Sequence, residues 1–513
     1  MKTLRSQTLS QMEFDRNRRW FLSFTSSLPL MAWSTARAAT PFNGSYQDNP
    51  FTLGVASGDP DHRGMVLWTR LAPKPLEPGG GMPAQPVNVT WEVATDADFK
   101  QMVQSGVTTA IPQLGHSVHV ELQSLKPDRW YWYRFRSGNA ESRVGKTRTL
   151  PHPESLPARL KFAVTSCQNY EQGLYTAYEQ MAKDEPDLVF HLGDYIYEYG
   201  AGRSGKVRSH IGNEIVSLED YRIRYAQYRS DRLLQNMHAQ CPWLVTWDDH
   251  EFDNNCANQI SEEPNIDPAE FLRRRANAYQ AYYEMMPLRS HCKPRGSDMR
   301  LYRSAAFGRL ATFNVLDTRQ YRSDQPNGDR HSPLNSAAMD PAQTLLGKEQ
   351  KRWLQQKLSQ SKTTWNVLAQ QVMMGLVDRN ANPLAPKYSM DQWPGYTHER
   401  MKLMEFIRDR SVSNPVVFTG DIHTNWANEL RIDDRDTEQP TLGTEFVCSS
   451  LSSGGNGIEK PGNLNALLSA NPFVKYHNAE RGYIRCEMTP KSLTADYLVV
   501  DDVLKPGGNT FRR

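Results

Sequence analysis

Side chains that can bind metal ions or transfer protons follow four apolar segments, each at the point where a predicted strand ends. The four segments are "LKFAVTS", "DLVFHLG", "WLVTW" and "VVFTG". The side chains that follow them are Cys167, Asp194, Tyr197, Asp248, Asp249, His250, Asp421 and His423. Because ligands bind at the carboxyl ends of the strands in α/β sheets, we expect these groups to meet at one edge.

The chemistry of this set is that of a metal centre. Carboxylates hold hard cations, whereas phenolate and thiolate favour a ferric ion over magnesium because they are strong donors to a high charge. We expect Asp194 to bridge two ions, and two such ions can clamp a phosphoryl group and generate hydroxide at moderate pH. Each residue alone also suits a structural role, as packing, a turn or a buried polar group. The coincidence of four strand ends favours function.

The elements that must position these residues predict an α/β domain. "LKFAVTSC", "GLYTAYEQMAK" and "DLVFHLGD" predict a strand, a helix and a strand, which together form a βαβ unit. Further strands are predicted in "WLVTWDDHE", "RLATFNVLDTR", "TWNVLAQQV" and "NPVVFTGDIH", with long helical patterns between them, such as "DPAEFLRRRANAYQAYYEMM". This domain is predicted to span residues 161–513, after a proline-rich linker at residues 151–160.

Residues 39–150 predict a different domain, a small β-sandwich. Segments such as "VNVTWEVATDADF" and "SVHVELQSLKPDRWYWYRFRSG" alternate apolar and polar residues and are separated by turn signals. We expect the core of this sandwich to contain the apolar and aromatic residues Val89, Trp91, Val93, Trp130, Trp132 and Tyr133.

Residues 1–38 have the composition of a secretory signal. Arg18 and Arg19 precede a mildly apolar stretch, and Ala36-Arg37-Ala38 supplies an A-x-A cleavage site. The adjacent arginines resemble the twin-arginine export signal, which predicts a periplasmic or secreted protein whose precursor meets the twin-arginine machinery. Loss of six Lys/Arg and two Asp/Glu changes the formal net charge from +3 to −1. That charge suggests neither nucleic acid nor an anionic membrane as a partner, and no internal run approaches the ~20 apolar residues of a membrane span.

Seven segments, in order along the mature chain, carry a resemblance to a known family. They are "FTLGVASGDP", "VLWTRLAP", "SCQNY", "HLGDYIYEYG", "TWDDHEFDNN", "NVLDTRQYR" and "FTGDIHTNW". The chain resembles the PhoD-type alkaline phosphatases, which belong to the calcineurin-like metallophosphoesterases. The resemblance implies an αββα sandwich behind an N-terminal immunoglobulin-like β-sandwich, with Fe³⁺ and two Ca²⁺ as cofactors. Family members often continue beyond the segment near "VVDDVLKPGGNTF", so no C-terminal lid is carried over to this chain.

The resemblance also implies a set of ligands. Iron would be held by Cys167, Asp194, Tyr197 and His423. The first calcium would be held by Asp194, Asp249 and Asp421, and a second calcium would be reached by Asn254 or Asn255.

The activity expected from this site is hydrolysis of phosphate esters, by in-line attack of a metal-bound hydroxide held near Asp194. His250 is expected to protonate the leaving oxygen or stabilise its charge, and the alternative is that it only orients Asp249. Arg319 and Arg322 are candidates to clamp phosphate oxygens, although structural ion pairs are the favoured interpretation for both.

Two other functions compete with an alkaline phosphatase acting on small phosphate esters. One is a phosphodiesterase, whose substrates would include polymeric phosphodiesters. It would use the same metal ions as an alkaline phosphatase and would differ in having room beside the phosphate for a second ester group. A non-catalytic surface binding protein built on the β-sandwich is disfavoured, because a degenerate second domain should have lost ligands and none is missing.

Overall fold

Short strands alternate with helices through most of the chain, as the apolar periodicity predicts. The computed structural model describes residues 45–382 and 384–513, so the predicted export signal lies outside the described residues. The α-helices are α1 (Thr176–Lys183), α2 (Leu218–Arg229), α3 (Arg232–His238), α4 (Pro268–Met285), α5 (Gly347–Gln360), α6 (Thr397–Asp409) and α7 (Leu464–Ala470).

The strands are short except for one. They are β1 (Val55–Gly58), β2 (Val66–Arg70), β3 (Val87–Ala94), β4 (Met102–Ala110), β5 (Ser117–Glu121), β6 (Trp130–Ser137), β7 (Ala140–Glu141), β8 (Gly145–Arg148), β9 (Leu160–Thr165), β10 (Leu188–His191), β11 (Trp243–Val245), β12 (Arg303–Phe307), β13 (Ala311–Val315), β14 (His331–Ser332), β15 (Trp365–Ala369), β16 (Tyr388–Ser389), β17 (Pro415–Thr419), β18 (Asn425–Leu430), β19 (Gly443–Val447), β20 (Gly457–Ile458), β21 (Val474–Met488), β22 (Leu493–Val500) and β23 (Thr510–Arg512).

The main sheet consists of two halves joined by the long strand β21. Its strands follow the order β12-β13-β15-β17-β19-β18-β21-β9-β10-β11-β1-β2-β5. The first part of β21 pairs with β18 and its last part pairs with β9. Within one half β9, β10 and β11 are parallel, and within the other β13, β15, β17 and β19 are parallel. Each half therefore presents several carboxyl strand ends at one edge.

The two halves pack face to face through an aromatic core. The ring of Phe162 in β9 lies 5.6 Å, centroid to centroid, from the rings of Phe190, Phe313 and Phe418, which belong to β10, β13 and β17. Because side chains alternate along a strand, Ala163 points instead to the core shared with α1 to α4. On the far side of the other half, α5 and α6 cover β15 and β17.

The N-terminal strands form two packed layers. Strands β3, β4, β6, β7 and β8 make a separate antiparallel sheet, which packs against β1, β2 and β5 through a buried core. Val89, Val93 and Tyr133 lie in that core as expected. The prediction that Trp130 and Trp132 also lie there is wrong: both are half-buried on the other face of β6, while Tyr131 and Phe135 are buried. Aromatic residues stand on both faces of β6, so alternation alone does not identify the inner face.

The main sheet continues into the N-terminal strands, because β1 pairs in parallel with β11 at Gly58 and Trp243. A Cβ atom at Gly58 would lie 2.5 Å from the carbonyl oxygen of Pro287, so only glycine allows this approach. The predicted linker contains neither helix nor strand before Leu160, and all described residues belong to one compact unit. None of the helices described in residues 45–513 is both long enough and apolar enough to cross a membrane.

Candidate metal centre

Sharp turns after the parallel strands bring the predicted ligands together. Four non-glycine residues in these turns have positive φ angles: Cys167 at 56°, Asp194 at 55°, Asp421 at 67° and His423 at 55°. Such backbone conformations are uncommon for residues with a Cβ atom and cluster at functional sites. All four are predicted metal ligands, so the strain lies where the chemistry is expected.

Glycine and glutamate lock two of these turns against each other. A Cβ atom at Gly193, whose φ is 110°, would lie 2.3 Å from the Cβ atom of Asp248, so glycine is required there. The buried carboxylate of Glu251 accepts backbone N–H groups from Asp194, Tyr195 and Asp248 at 2.6–2.9 Å. Glu251 therefore fixes the spacing of the turns that follow β10 and β11, and sequence analysis did not single it out.

Potential ligand atoms form two adjacent groups near Asp194. Within each group the atoms lie within 4.8 Å of one another: Cys167, Asp194 and His423 in one, and Asp248, Asp249 and Asp421 in the other. A third such group joins Asp194 to Asp249 and His250. Asp194 thus lies at the junction, as the prediction of a bridging carboxylate requires.

Tyr197 belongs to the first group. Its hydroxyl donates to Asp194 Oδ2 at 2.9 Å and lies 3.3 Å from His423 Nε2. The hydroxyl of Ser453 donates to the phenol oxygen at 2.8 Å. The neighbouring tyrosines of the same stretch have other contacts: Tyr195 bonds to His238 at 2.9 Å, and Tyr199 packs its ring edge against His250.

The unpaired charges of the centre fit cations. Asp194 Oδ1 and Asp248 Oδ2 are buried and have no hydrogen-bond partner among the described residues. Burial, reinforced by neighbouring carboxylates, raises the pKa of Asp194, of Asp248 and of the Cys167 thiol. Burial also lowers the pKa of His423 to about 3, which keeps its imidazole neutral. Bound cations would pair with these two carboxylate oxygens and would stabilise the deprotonated forms of the ligands.

His250 is held by a carboxylate that sequence analysis missed. Its Nδ1 lies 2.8 Å from Glu198 Oε2, and its ring packs on Tyr197 with centroids 4.1 Å apart. Burial opposes the positive charge, but the carboxylates of Glu198, Asp194 and Asp249 outweigh it and raise the pKa of His250. Its Nε2 makes no protein hydrogen bond among the described residues. Glu198 lies inside "DYIYEYG", and no local pattern there indicates a contact with His250, which is 52 positions away.

Arg319 and Arg322 are fully buried and engaged with the protein. Arg319 binds Asp248, Asp391 and Asp421, with 2.9 Å contacts to the last two. Arg322 binds the Asp391 carboxylate at 2.7 Å and donates to three backbone carbonyl groups. These contacts agree with structural ion pairs, the interpretation favoured from sequence, and leave the role of a phosphate clamp without support.

The two asparagines proposed for a second calcium differ in position. Asn255 donates its backbone N–H to Asp249 Oδ2 at 2.7 Å and its side-chain amide to Asp329 Oδ2 at 2.6 Å. Asn254 instead donates its side-chain amide to Glu262, at 2.6 Å, in an exposed bond. Of the two, Asn255 has the closer link to the ligand groups.

The six cysteines all lie in the described part of the chain, where each is buried and none forms a disulfide. Cys167 is therefore a free thiol at the centre, as its assignment to a metal requires.

The fold and this centre place the chain among the phosphoric ester hydrolases, and comparison with known proteins agrees. Residues 162–497 match the family model for PhoD-like phosphatase, and residues 35–151 match the model for the N-terminal domain of PhoD-like phosphatase. The chain is 51% identical over 467 residues to alkaline phosphatase D of Bacillus subtilis (strain 168), covering 90% of this chain and 80% of that protein. A solved structure of PhoD matches with a TM-score of 0.90 and 50% identity, covering 92% of this chain and 90% of that one.

The chain belongs to the PhoD-like phosphatase family. The predicted family resemblance and the predicted class of enzyme, a phosphoric ester hydrolase, are thereby confirmed. The predicted α/β fold is confirmed as a mixed α/β fold that matches the PhoD structure. The roles assigned to single residues stay predictions.

Proposed function

We propose that this protein is an exported alkaline phosphatase whose buried centre holds Fe³⁺ and Ca²⁺ together. The observation that carries the proposal is the pair of adjacent ligand groups that meet at Asp194, with buried oxygens on Asp194 and Asp248 that have no hydrogen-bond partner in the described part of the chain. A thiol, a phenol and an imidazole surround one position, and carboxylates surround the other. That division suits a ferric ion beside a hard divalent cation.

In this proposal iron is held by Cys167, Asp194, Tyr197 and His423. Calcium is held by Asp194, Asp249 and Asp421, and a second calcium by Asn254 or Asn255, of which the contact to Asp249 favours Asn255. When bound, the cations supply the Lewis acidity that activates water and offsets the charge of the phosphoryl group.

His250 supplies the proton that the leaving oxygen needs. Glu198 holds Nδ1 of the ring, so Nε2 is left for a substrate. The hydrogen bond from His250 to Asp249, at 2.9 Å, uses the backbone N–H of His250, whereas the ring Nδ1 is held by Glu198. This arrangement favours proton donation over the alternative in which the ring merely orients Asp249.

Arg319 keeps the carboxylates of the second group in place. Its guanidinium is fully buried and contacts Asp248, Asp249 and Asp421. Such a cation limits the repulsion between like charges before a metal binds.

The remaining parts of the proposal concern architecture and location. The layer order helix, sheet, sheet, helix is supported by the core around Phe162 and by the helix-covered cores on either side of it. An immunoglobulin-like N-terminal part is supported by its two packed antiparallel layers. Export by the twin-arginine route rests on the sequence at Arg18 and Arg19.

Calcium removal tests the proposed centre. A calcium chelator should abolish hydrolysis of p-nitrophenyl phosphate while most of the iron stays bound, because carboxylate-rich sites bind Ca²⁺ reversibly. Added calcium should restore the activity. Restoration by zinc alone would contradict the proposal and indicate a dizinc site.

A further inference from the structure

One arginine near the centre, Arg379, has a guanidinium N–H group that donates to none of the described residues. The guanidinium carbon of Arg379 lies 5.3 Å from the ring centroid of Trp426. Its Nη1 is buried without a hydrogen-bond partner, and the group makes no ion pair within residues 45–382 and 384–513. Arg319 and Arg322, which the sequence suggested for phosphate, are by contrast both bound to Asp391.

The position of Trp426 places this guanidinium beside the ligand loop. Trp426 is buried, and its indole N–H donates to Thr424 Oγ1 at 2.6 Å, directly after His423. Burial lowers the pKa of Arg379, and the carboxylate of Asp421 opposes that shift through space without forming an ion pair. The guanidinium therefore contacts the residue that binds the loop of Asp421 and His423, and it forms no ion pair among the described residues.

The backbone at Arg379 is fixed from two sides. The N–H of Asp378 donates to Asn471 Oδ1 at 2.7 Å, and Asn471 returns a bond to the carbonyl of Asp378 at 3.0 Å. The N–H of Arg379 donates to the carbonyl of Lys387 at 2.7 Å. A side chain that stacks on a buried indole from a fixed backbone is already oriented before a ligand arrives.

Asp378, the carboxylate next to Arg379 in the sequence, forms no ion pair with it among the described residues and accepts backbone N–H groups instead. Asp378 Oδ1 accepts the backbone N–H groups of Asn380 and Lys387, both at 2.9 Å. A buried N–H donor that has no hydrogen-bond partner among the described residues favours a bound anion.

We propose that Arg379 binds a non-bridging oxygen of the substrate's phosphoryl group on the Asp421 side of the centre, and so favours phosphate monoesters over diesters. The planar guanidinium fork matches phosphate oxygens. A monoester dianion carries more charge than a diester monoanion and gains more from this contact. The inference rests on the proposed function, because it assigns the substrate of that site.

Three single substitutions test the role of Arg379. Arg379→Ala removes the cation, Arg379→Lys keeps a charge without the fork, and Lys387→Met removes a charge from the same loop as a matched control. Each protein, loaded with iron and calcium, is assayed for kcat/KM with p-nitrophenyl phosphate and with bis(p-nitrophenyl) phosphate. Calorimetry with inorganic phosphate gives an equilibrium Kd, and elemental analysis gives the metal content.

For Arg379→Ala we expect kcat/KM for the monoester to fall about 10- to 100-fold, the cost of one charged hydrogen bond. The loss for the diester should be smaller, the Kd for phosphate should rise by a factor similar to the monoester loss, and the metal content should not change. For Arg379→Lys, kcat/KM and the phosphate Kd should lie between those of Arg379→Ala and of the unaltered protein. For Lys387→Met, both should equal those of the unaltered protein.

Two results would overturn the proposal. One is an unchanged Kd for phosphate with equal losses for both esters; the other is activity that falls only in proportion to lost metal. Either result would indicate that Arg379 only packs against Trp426 and does not bind the substrate. If the unaltered, metal-loaded protein hydrolyses neither ester, the proposed function itself fails, and the phosphate Kd still decides whether Arg379 binds the anion.

Discussion

Single residues in the stretch from His191 to Gly200 have separate tasks, although the sequence presents three tyrosines there as equals. Tyr197 alone places its hydroxyl on predicted metal ligands, at 2.9 Å from Asp194 and 3.3 Å from His423. Tyr195 bonds to His238, away from the ligands, and Tyr199 forms a wall beside His250.

Substitution of Tyr197 by phenylalanine should change the colour of the protein. A ferric ion held by phenolate and thiolate absorbs visible light through charge transfer, so the unaltered protein should be coloured and Tyr197→Phe should weaken or shift the band. Activity should fall while the fold is kept, because the ring still packs on His250.

Absorption spectroscopy of the purified proteins makes this measurement. Tyr199→Phe is the matched control, since it removes a phenol next to the same histidine without removing a ligand, and it should leave the band unchanged. A colourless unaltered protein with full activity would show that the metal is not ferric.

The sequence indicates which candidate ligands follow strands. It does not indicate which other side chains hydrogen-bond to those candidates. Cys167, Asp194, Asp249 and Asp421 were predicted because strand ends converge at one edge whatever the details of packing. Glu198 and Glu251 are not predicted, because they contact partners far away in sequence: His250 is 52 positions from Glu198, and Asp194 is 57 positions from Glu251. Only the folded chain shows which carboxylate meets which donor.

Individual strands and helices agree with the apolar pattern where that pattern has one clear period. The strands predicted in "LKFAVTSC" and "NPVVFTGDIH" correspond to β9 and β17, and the helix predicted in "DPAEFLRRRANAYQAYYEMM" corresponds to α4. The pattern was ambiguous in β6, where both faces carry aromatic residues, and no strand was predicted for β21. The sequence of β21, "VKYHNAERGYIRCEM", mixes polar and apolar residues without one clear period, although most of its residues are buried.

Strand β19 carries a buried carboxylate that should make stability depend on pH. Glu445 accepts backbone N–H groups from Met374 and Gly375 and the side-chain amide of Asn428. Burial raises its pKa from 4.5 to about 7. Between these values the folded state binds more protons than the unfolded state, so stability should fall as the pH rises from about 4.5 to about 7, by up to ~3 kcal/mol.

Glu445→Gln should remove this contribution, because the amide does not titrate. Urea unfolding at pH 5 and pH 7 measures the effect: the unaltered protein should lose more unfolding free energy between the two values than the variant loses. Equal losses would show that Glu445 titrates alike in the folded and unfolded states.

At the scale of the whole molecule, the N-terminal strands extend the main sheet through β1 and β11. The change in periodicity near residues 151–160 predicts two domains. The pairing of β1 with β11 is a backbone contact at Gly58, and such a contact leaves no recognisable pattern in the sequence. The two parts that the sequence separates therefore share one sheet.

Export belongs to this scale because it concerns the whole folded chain. Replacing Arg18 and Arg19 together by lysine should leave the precursor in the cytoplasm, since twin-arginine export depends on that pair. Cell fractionation followed by immunoblotting makes the measurement. Mature protein outside the cytoplasm at the normal level would show that another signal operates.

The central claim is that one buried centre holds iron and calcium together and hydrolyses phosphate esters. Elemental analysis of protein purified after export in its native form, with p-nitrophenyl phosphate hydrolysis measured on the same fractions, tests it most directly. We expect iron and calcium together in every active fraction, with activity proportional to the chains that contain both. Full activity in fractions that contain zinc and no iron would contradict the account.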